Sequence, residues 1–137
     1  MTSLSTVKDH MKKKPVTIRP DVEVEQAVAL LLKHRISGAP VVDEHGKLVG
    51  ILAERDCLKA FLNDEFCRCP TALVRELMSA DVVTVNPDGD ILTAADLFVH
   101  HKFHHLPVLD RDRLVGQISR RDVIRAILKM HRERVRR

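Results

Sequence analysis

The chain contains no tryptophan, no tyrosine and only four phenylalanines. Proteins that grip nucleic acid by stacking bases need aromatic rings, so that mode is disfavoured. Glycine is scarce, at five residues, and no Gly-x-x-x-x-Gly-Lys-[Ser/Thr] phosphate cradle is present. Three cysteines, Cys57, Cys67 and Cys69, are an odd count, and no disulfide framework is implied. Cys67-Arg68-Cys69 brings two thiols together, but a structural metal site needs a second pair. A surface linker carrying two thiols is the preferred reading, and no metal is expected. No run approaches the ~20 apolar residues that a bilayer span requires. Met1 to Lys14 is polar and has no apolar signal core. A cytoplasmic protein with no membrane span is expected.

What is present is ordinary globular composition over 137 residues, 45% apolar and 31% charged. That length suits one domain or two small, tightly packed halves. The net charge of +4 is unevenly placed. Residues 120–137 carry eight Lys/Arg against two acids, and the rest of the chain is slightly acidic. Cations stabilise the negative pole of a helix, so a solvated helix end is the preferred reading of this basic tail. A nucleic-acid or acidic-partner contact is the alternative.

Self-similarity decides the organisation. Shifted by 67 residues, Val7–Asp43 falls on Val74–Asp110 with 12 identities in 37 pairs. After Gly46, which has no counterpart, Lys47–Leu62 falls on Arg113–Leu128 with seven identities in 16 pairs at a shift of 66. The chain is a duplication, with units at 7–62 and 74–130, a linker at 63–73 and a basic tail at 131–137.

Each unit reads β-α-β-β-α. A β-branched run, Val16–Ile18 or Val82–Val85, ends at a proline. A helical pattern follows: Val24, Ala27, Val28, Leu31 and Leu32, or Ile91, Ala94, Ala95, Phe98 and Val99. Two strands then form a hairpin, Ala39–Val42 with Leu48–Leu52, or Leu106–Leu109 with Leu114–Ile118. The last helices run from about Glu54 to Leu62 and from about Arg120 to Met130. A lone unit would have a thin core, and two units can bury their bare sheet faces against each other. The expected fold is therefore α/β (α+β), with sheets face to face and helices outside.

Val-x-x-x-Met, then Val-Thr-x-x-Pro, then His-Arg-Ile-Ser-Gly-Ala-Pro-Val-Val-Asp, then Gly-x-x-[Ser/Thr]-x-x-Asp resembles a CBS domain, the unit named after cystathionine β-synthase. Two in tandem resemble a Bateman module, and a stand-alone pair with no attached enzyme or channel is expected. The resemblance implies a pseudo-twofold pair with two clefts that bind adenosine ligands: AMP, ADP or ATP, less often S-adenosylmethionine or NAD. It also implies a homodimer.

By this resemblance the main cleft takes Asp122, Ser119 and Arg121 from one unit. Met11, Val16, Thr17, Ile36, Ser37, Gly38, Ala39 and Pro40 come with the other. The chemistry suits the ligand. A carboxylate accepts ribose hydroxyls, Ser119 is a natural N-cap, and helix N-termini favour phosphate. The alternative is that Asp122 and Ser119 only cap a helix. The second cleft would use Asp56 and Arg55 with Met78, Val83, Phe103, His104, His105, Leu106 and Pro107. There Ala53 stands where the family has Ser or Thr, so a cleft that is weaker, empty or tuned to a different ligand is expected.

His100, His101, His104 and His105 cluster in sequence. Phosphate contact by His104 and His105 is preferred over packing or metal binding. If those two meet phosphate, binding tightens as pH falls towards ~6. The preferred function is a nucleotide-sensing regulatory module acting on an unidentified protein partner. A non-binding dimerisation module is the runner-up. Nucleic-acid binding and enzyme activity rank below both, since no nucleophile–base pair is evident.

Overall fold

The structure is a computed structural model, described for residues 5–62 and 72–136. Cys67, Cys69 and most of the expected linker lie outside the described residues. The described elements are a 3-10 turn (Val7–Asp9), β1 (Lys12–Lys13), α1 (Val24–His34), β2 (Gly38–Val42), β3 (Leu48–Ala53), α2 (Glu54–Leu62), α3 (Val74–Leu77), α4 (Ile91–His100), β4 (His105–Asp110), β5 (Arg113–Ser119) and α5 (Arg120–Val135). Among the described residues, no helix is long and apolar enough to cross a membrane.

Two compact units emerge, and they exchange their leading segments relative to the sequence repeats. One unit is Pro15–Val82; the other joins the residues up to Lys14 to those from Val83 onward. In the second unit, β1 adds to the β4–β5 hairpin, with Lys12 opposite Gln117 and Lys13 opposite Gly116. In the first unit, Ser79 bridges to Ile51 of β3 in the corresponding way. Glycine makes both contacts possible. A Cβ at Gly116 would lie 2.6 Å from Met11 Sδ, and one at Gly50 would lie 2.7 Å from Met78 Sδ. No other residue allows backbone and methionine to approach so closely.

The expected first strands are reduced to single parallel bridges, Ile18 to Val41 and Val85 to Val108. Proline is the cause. Ile18 N–H donates to Pro40 O, and Val42 N–H donates to Ile18 O. The next rungs would need N–H groups from Pro20 and Pro40, which have none. Pro87 and Pro107 impose the same limit in the second unit.

Each unit has its own core. The first is built on Ile18, Ala27, Leu31, Ala39, Val41, Leu52, Cys57 and Val74. The second is built on Val7, Ile91, Ala94, Phe98, Leu106, Val108, Ile118, Val123 and Ala126. Leu32 and Val99, expected in the helical stripes, are 73% and 79% exposed. Leu30 and Leu97 pack against the cores instead. Residues 32 and 99 lie one helical step, about 100°, past Leu31 and Phe98, which carries them off the inward face.

Candidate ligand site

The second unit builds its polar site where β5 runs into α5. Ser119 is extended (φ −103°, ψ 166°) and caps the helix. Its hydroxyl accepts the Asp122 N–H at 3.1 Å, and Asp122 Oδ2 accepts the Ser119 N–H at 2.9 Å. This reciprocal capping box satisfies two amides that a helix start leaves open. It also holds the Asp122 carboxylate in one place, only 6% exposed. The second oxygen, Oδ1, has a single long contact, to Arg125 Nη1 at 3.4 Å. A carboxylate oxygen has two lone pairs, so Oδ1 keeps capacity to accept a further donor.

The loop before β4 is tied to this helix start. Arg120 donates from Nε to Phe103 O at 2.6 Å and from its backbone to His104 O at 3.3 Å. His105 then opens β4 directly across from Ser119. It is half-buried, and that burial, with His104 beside it, pushes its pKa down; Asp122 pulls it up and Lys12 pushes it down further. The His105 ring is therefore neutral near pH 7. The expected tightening of phosphate binding towards pH ~6 does not fit His105, which gains its proton at more acidic pH. His104 is exposed. His101 stacks on Phe103, with centroids 5.3 Å apart. His100 Nδ1 lies 2.9 Å from the Asp96 carbonyl on its own helix. Among the described residues, no three His, Cys, Asp or Glu side chains gather as metal ligands.

The first unit repeats the arrangement with one part missing. Asp56 Oδ2 accepts the Ala53 N–H at 2.9 Å. Ala53 has no hydroxyl to return a bond to the Asp56 amide. Glu54 N–H donates to Ser37 O at 2.8 Å, in the place of the Arg120–His104 bond. Cys57, one position on, is buried, and burial raises its thiol pKa, with Asp56 and Glu54 adding to the effect. It is a core residue, not a nucleophile.

The predicted residues divide by unit. Asp122, Ser119, Arg121, Met11, Val83, Phe103, His104, His105 and Pro107 belong to the second unit. Asp56, Arg55, Val16, Thr17, Ile36, Ser37, Gly38, Ala39, Pro40 and Met78 belong to the first. Arg121, Arg55 and Thr17 are exposed, and Ala39, Pro40 and Pro107 are buried in strands. Sequence reasoning missed the Arg120 tie and the Arg125 contact. The spacing from Asp122 to Arg125, one helical turn, was the available signal for the latter. A separate open depression of about 530 Å3 in the second unit is lined by Lys8, Lys13, Asp88 and Asp110 among others, and not by Asp122.

The family description "CBS domain" matches residues 7–63 and again 74–129. The chain belongs to the CBS-domain family. Among solved CBS structures, CBSX2 in complex with AMP is 30% identical with a TM-score of 0.82, covering 92% of this chain and 98% of that one. The CBS pair of protein MJ0100, solved with 5-methylthioadenosine and S-adenosyl-L-methionine, is 30% identical with a TM-score of 0.81, covering 93% and 99%. Inosine-5'-monophosphate dehydrogenase from Aquifex aeolicus is 36% identical over 113 residues, 81% of this chain. This CBS pair spans only 22% of that enzyme's length. The α/β fold read from the sequence is thus that of CBS-pair proteins.

Proposed function

We propose that this CBS pair is a regulatory module that binds an adenosine-containing ligand, with Asp122 as its ribose acceptor. The observation that carries the reading is the state of the Asp122 carboxylate. The capping box fixes it at the start of α5 while Oδ1 retains acceptor capacity. A diol reaching Oδ1 shares it with Arg125 or displaces the guanidinium. The amides of the α5 N-terminus favour a nearby phosphate. CBS pairs solved with AMP and with S-adenosyl-L-methionine support this ligand class. Asp56 offers a poorer version, because its helix start lacks the hydroxyl. In this reading Met11, which lies in the same unit as Asp122, belongs to the main site, and the chain works as a homodimer on a protein partner.

The burial of Asp122 favours a second reading, in which the capping box is purely structural and the chain is an assembly module. A calorimetric and thermal-shift panel of AMP, ADP, ATP, S-adenosylmethionine and NAD separates the two. A ligand at 100 times its Kd adds about 2.7 kcal/mol of stability. Asp122→Asn keeps a capping oxygen but loses the charge, and it should abolish that gain. A panel that leaves Tm unmoved throughout favours the assembly reading.

A further inference from the structure

Each exchanged leading segment is held by the same clasp. A valine, Val7 or Val74, is buried in the core. Four residues on, a methionine donates its N–H back to that valine: Met11 to Val7 O and Met78 to Val74 O, both at 2.9 Å. The next residue meets the hairpin. Lys12 lies opposite Gln117 of β5, and Ser79 exchanges two 2.9 Å backbone hydrogen bonds with Ile51 of β3. The two thioether sulfurs sit at the middle of these clasps. Met11 Sδ is pressed on Gly116 and Met78 Sδ on Gly50, leaving no room between them for one more carbon. Both side chains also pack against the core of the unit they clasp.

Neither methionine is sealed from water. Both are half-buried, and Met11 is part of the lining of the open depression of about 530 Å3. A thioether takes one oxygen atom from a peroxide: the O–O bond breaks, an S–O bond forms, and water leaves. The sulfoxide is larger and polar. In either clasp it would set a polar oxygen against an apolar cluster, beside a glycine that leaves no space for an added atom. We infer that Met11 and Met78 are modification sites, at which oxidation by a peroxide releases the exchanged segments. Release of Lys12–Lys13 bares the edge of β5, and release of Ser79 frees Ile51 of β3, and unpaired strand edges are pairing sites. Met130, also half-buried against the second core but carried on α5 outside either clasp, is the internal reference. The inference rests on the two clasps alone and needs no nucleotide.

Graded hydrogen peroxide on the full chain tests it, with peptide mass spectrometry mapping the sulfoxides and native-state hydrogen exchange reading the segments. Sulfoxide at Met11 should speed exchange of residues 12–13 and 116–117 about tenfold or more, and leave Ile51 and Ser79 within about twofold. Sulfoxide at Met78 should do the reverse. Leucine keeps the volume without the sulfur, so Met11→Leu should remove only the first response and Met78→Leu only the second. Met130→Leu should change neither. Methionine sulfoxide reductases A and B with dithiothreitol should restore slow exchange, each sulfoxide losing its oxygen as water while two thiols become a disulfide. Full conversion of Met11 and Met78 with unchanged exchange overturns the inference. So does a response that survives both leucine variants, as it would if a cysteine were the target, or one that disappears with Met130→Leu. Met11 and Met78 left as thioethers at a dose that converts Met130 would overturn it as well.

Discussion

At the residue scale, the two helix starts form an internal control. Ser119 and Ala53 occupy matching places in the repeats, and both helices carry aspartate three residues on. Only Ser119 returns a hydroxyl acceptor to the aspartate amide. Ser119→Ala should therefore cost about 1 kcal/mol, and Ala53→Ser should recover part of a similar sum in the first unit. Urea titration measures both, and equal effects of opposite sign would show that the caps are interchangeable. His105 adds a pH dependence. Its pKa is lowered in the folded protein, so the unfolded chain binds more protons below about 6.5. Stability should fall as pH drops from 6.5 through the lowered value, and should be insensitive to His105 above that window. His105→Gln should flatten this part of the profile, as read from urea midpoints between pH 7.5 and 5. The aspartates and the serine cap were legible in the sequence because a motif names them. The ties of Arg120 and Arg125 were not, since they depend on where long side chains fall after the backbone has folded.

At the scale of elements, the hairpins and helix starts were readable because their signals are local. Strand and helix periods differ, and α2 begins at Glu54 as the pattern predicts. Two elements were misjudged. The first strands fail because prolines sit on both sides of the bridge. Helix α5 continues five residues past Met130, carrying His131 to Val135 out of the expected tail. Arginines are good helix formers, and cations near the C-terminus favour continuation. The missing counterpart of Gly46 also has a structural meaning. The first hairpin turns through Asp43–Gly46 with Gly46 at φ 78°, whereas the second turns in two residues, Arg111 (φ 52°) and Asp112 (φ 69°). Two left-handed residues in a two-residue loop match the type I′ turn, which prefers glycine second. Asp112→Gly should raise stability by roughly 0.5–1 kcal/mol, visible as a higher Tm, and a lower Tm would show that the aspartate makes a compensating contact.

At the scale of the whole molecule, the duplication was plain in the sequence, but the exchange of leading segments was not. Identity between repeats reports common ancestry of segments and is blind to which hairpin a segment joins. The exchange has a measurable consequence. Val7 belongs to the first repeat by sequence, yet it is 1% exposed within the core of α4, β4, β5 and α5. Val74 belongs to the second repeat, yet it is 0% exposed in the core of α1, β2 and β3. Truncating either valine to alanine removes two methyl groups from a packed interior and should cost about 2 kcal/mol. The location of the damage carries the information. In native-state hydrogen exchange, Val7→Ala should speed the amides of β4, β5 and α5 and spare those of β2 and β3, with Val74→Ala doing the reverse. Faster exchange in β2 and β3 on Val7→Ala would return the leading segment to its own repeat. Equal acceleration everywhere would show that the two cores open as one cooperative block, and the exchanged segments would then be its cause, since each unit depends on residues that the other repeat supplies.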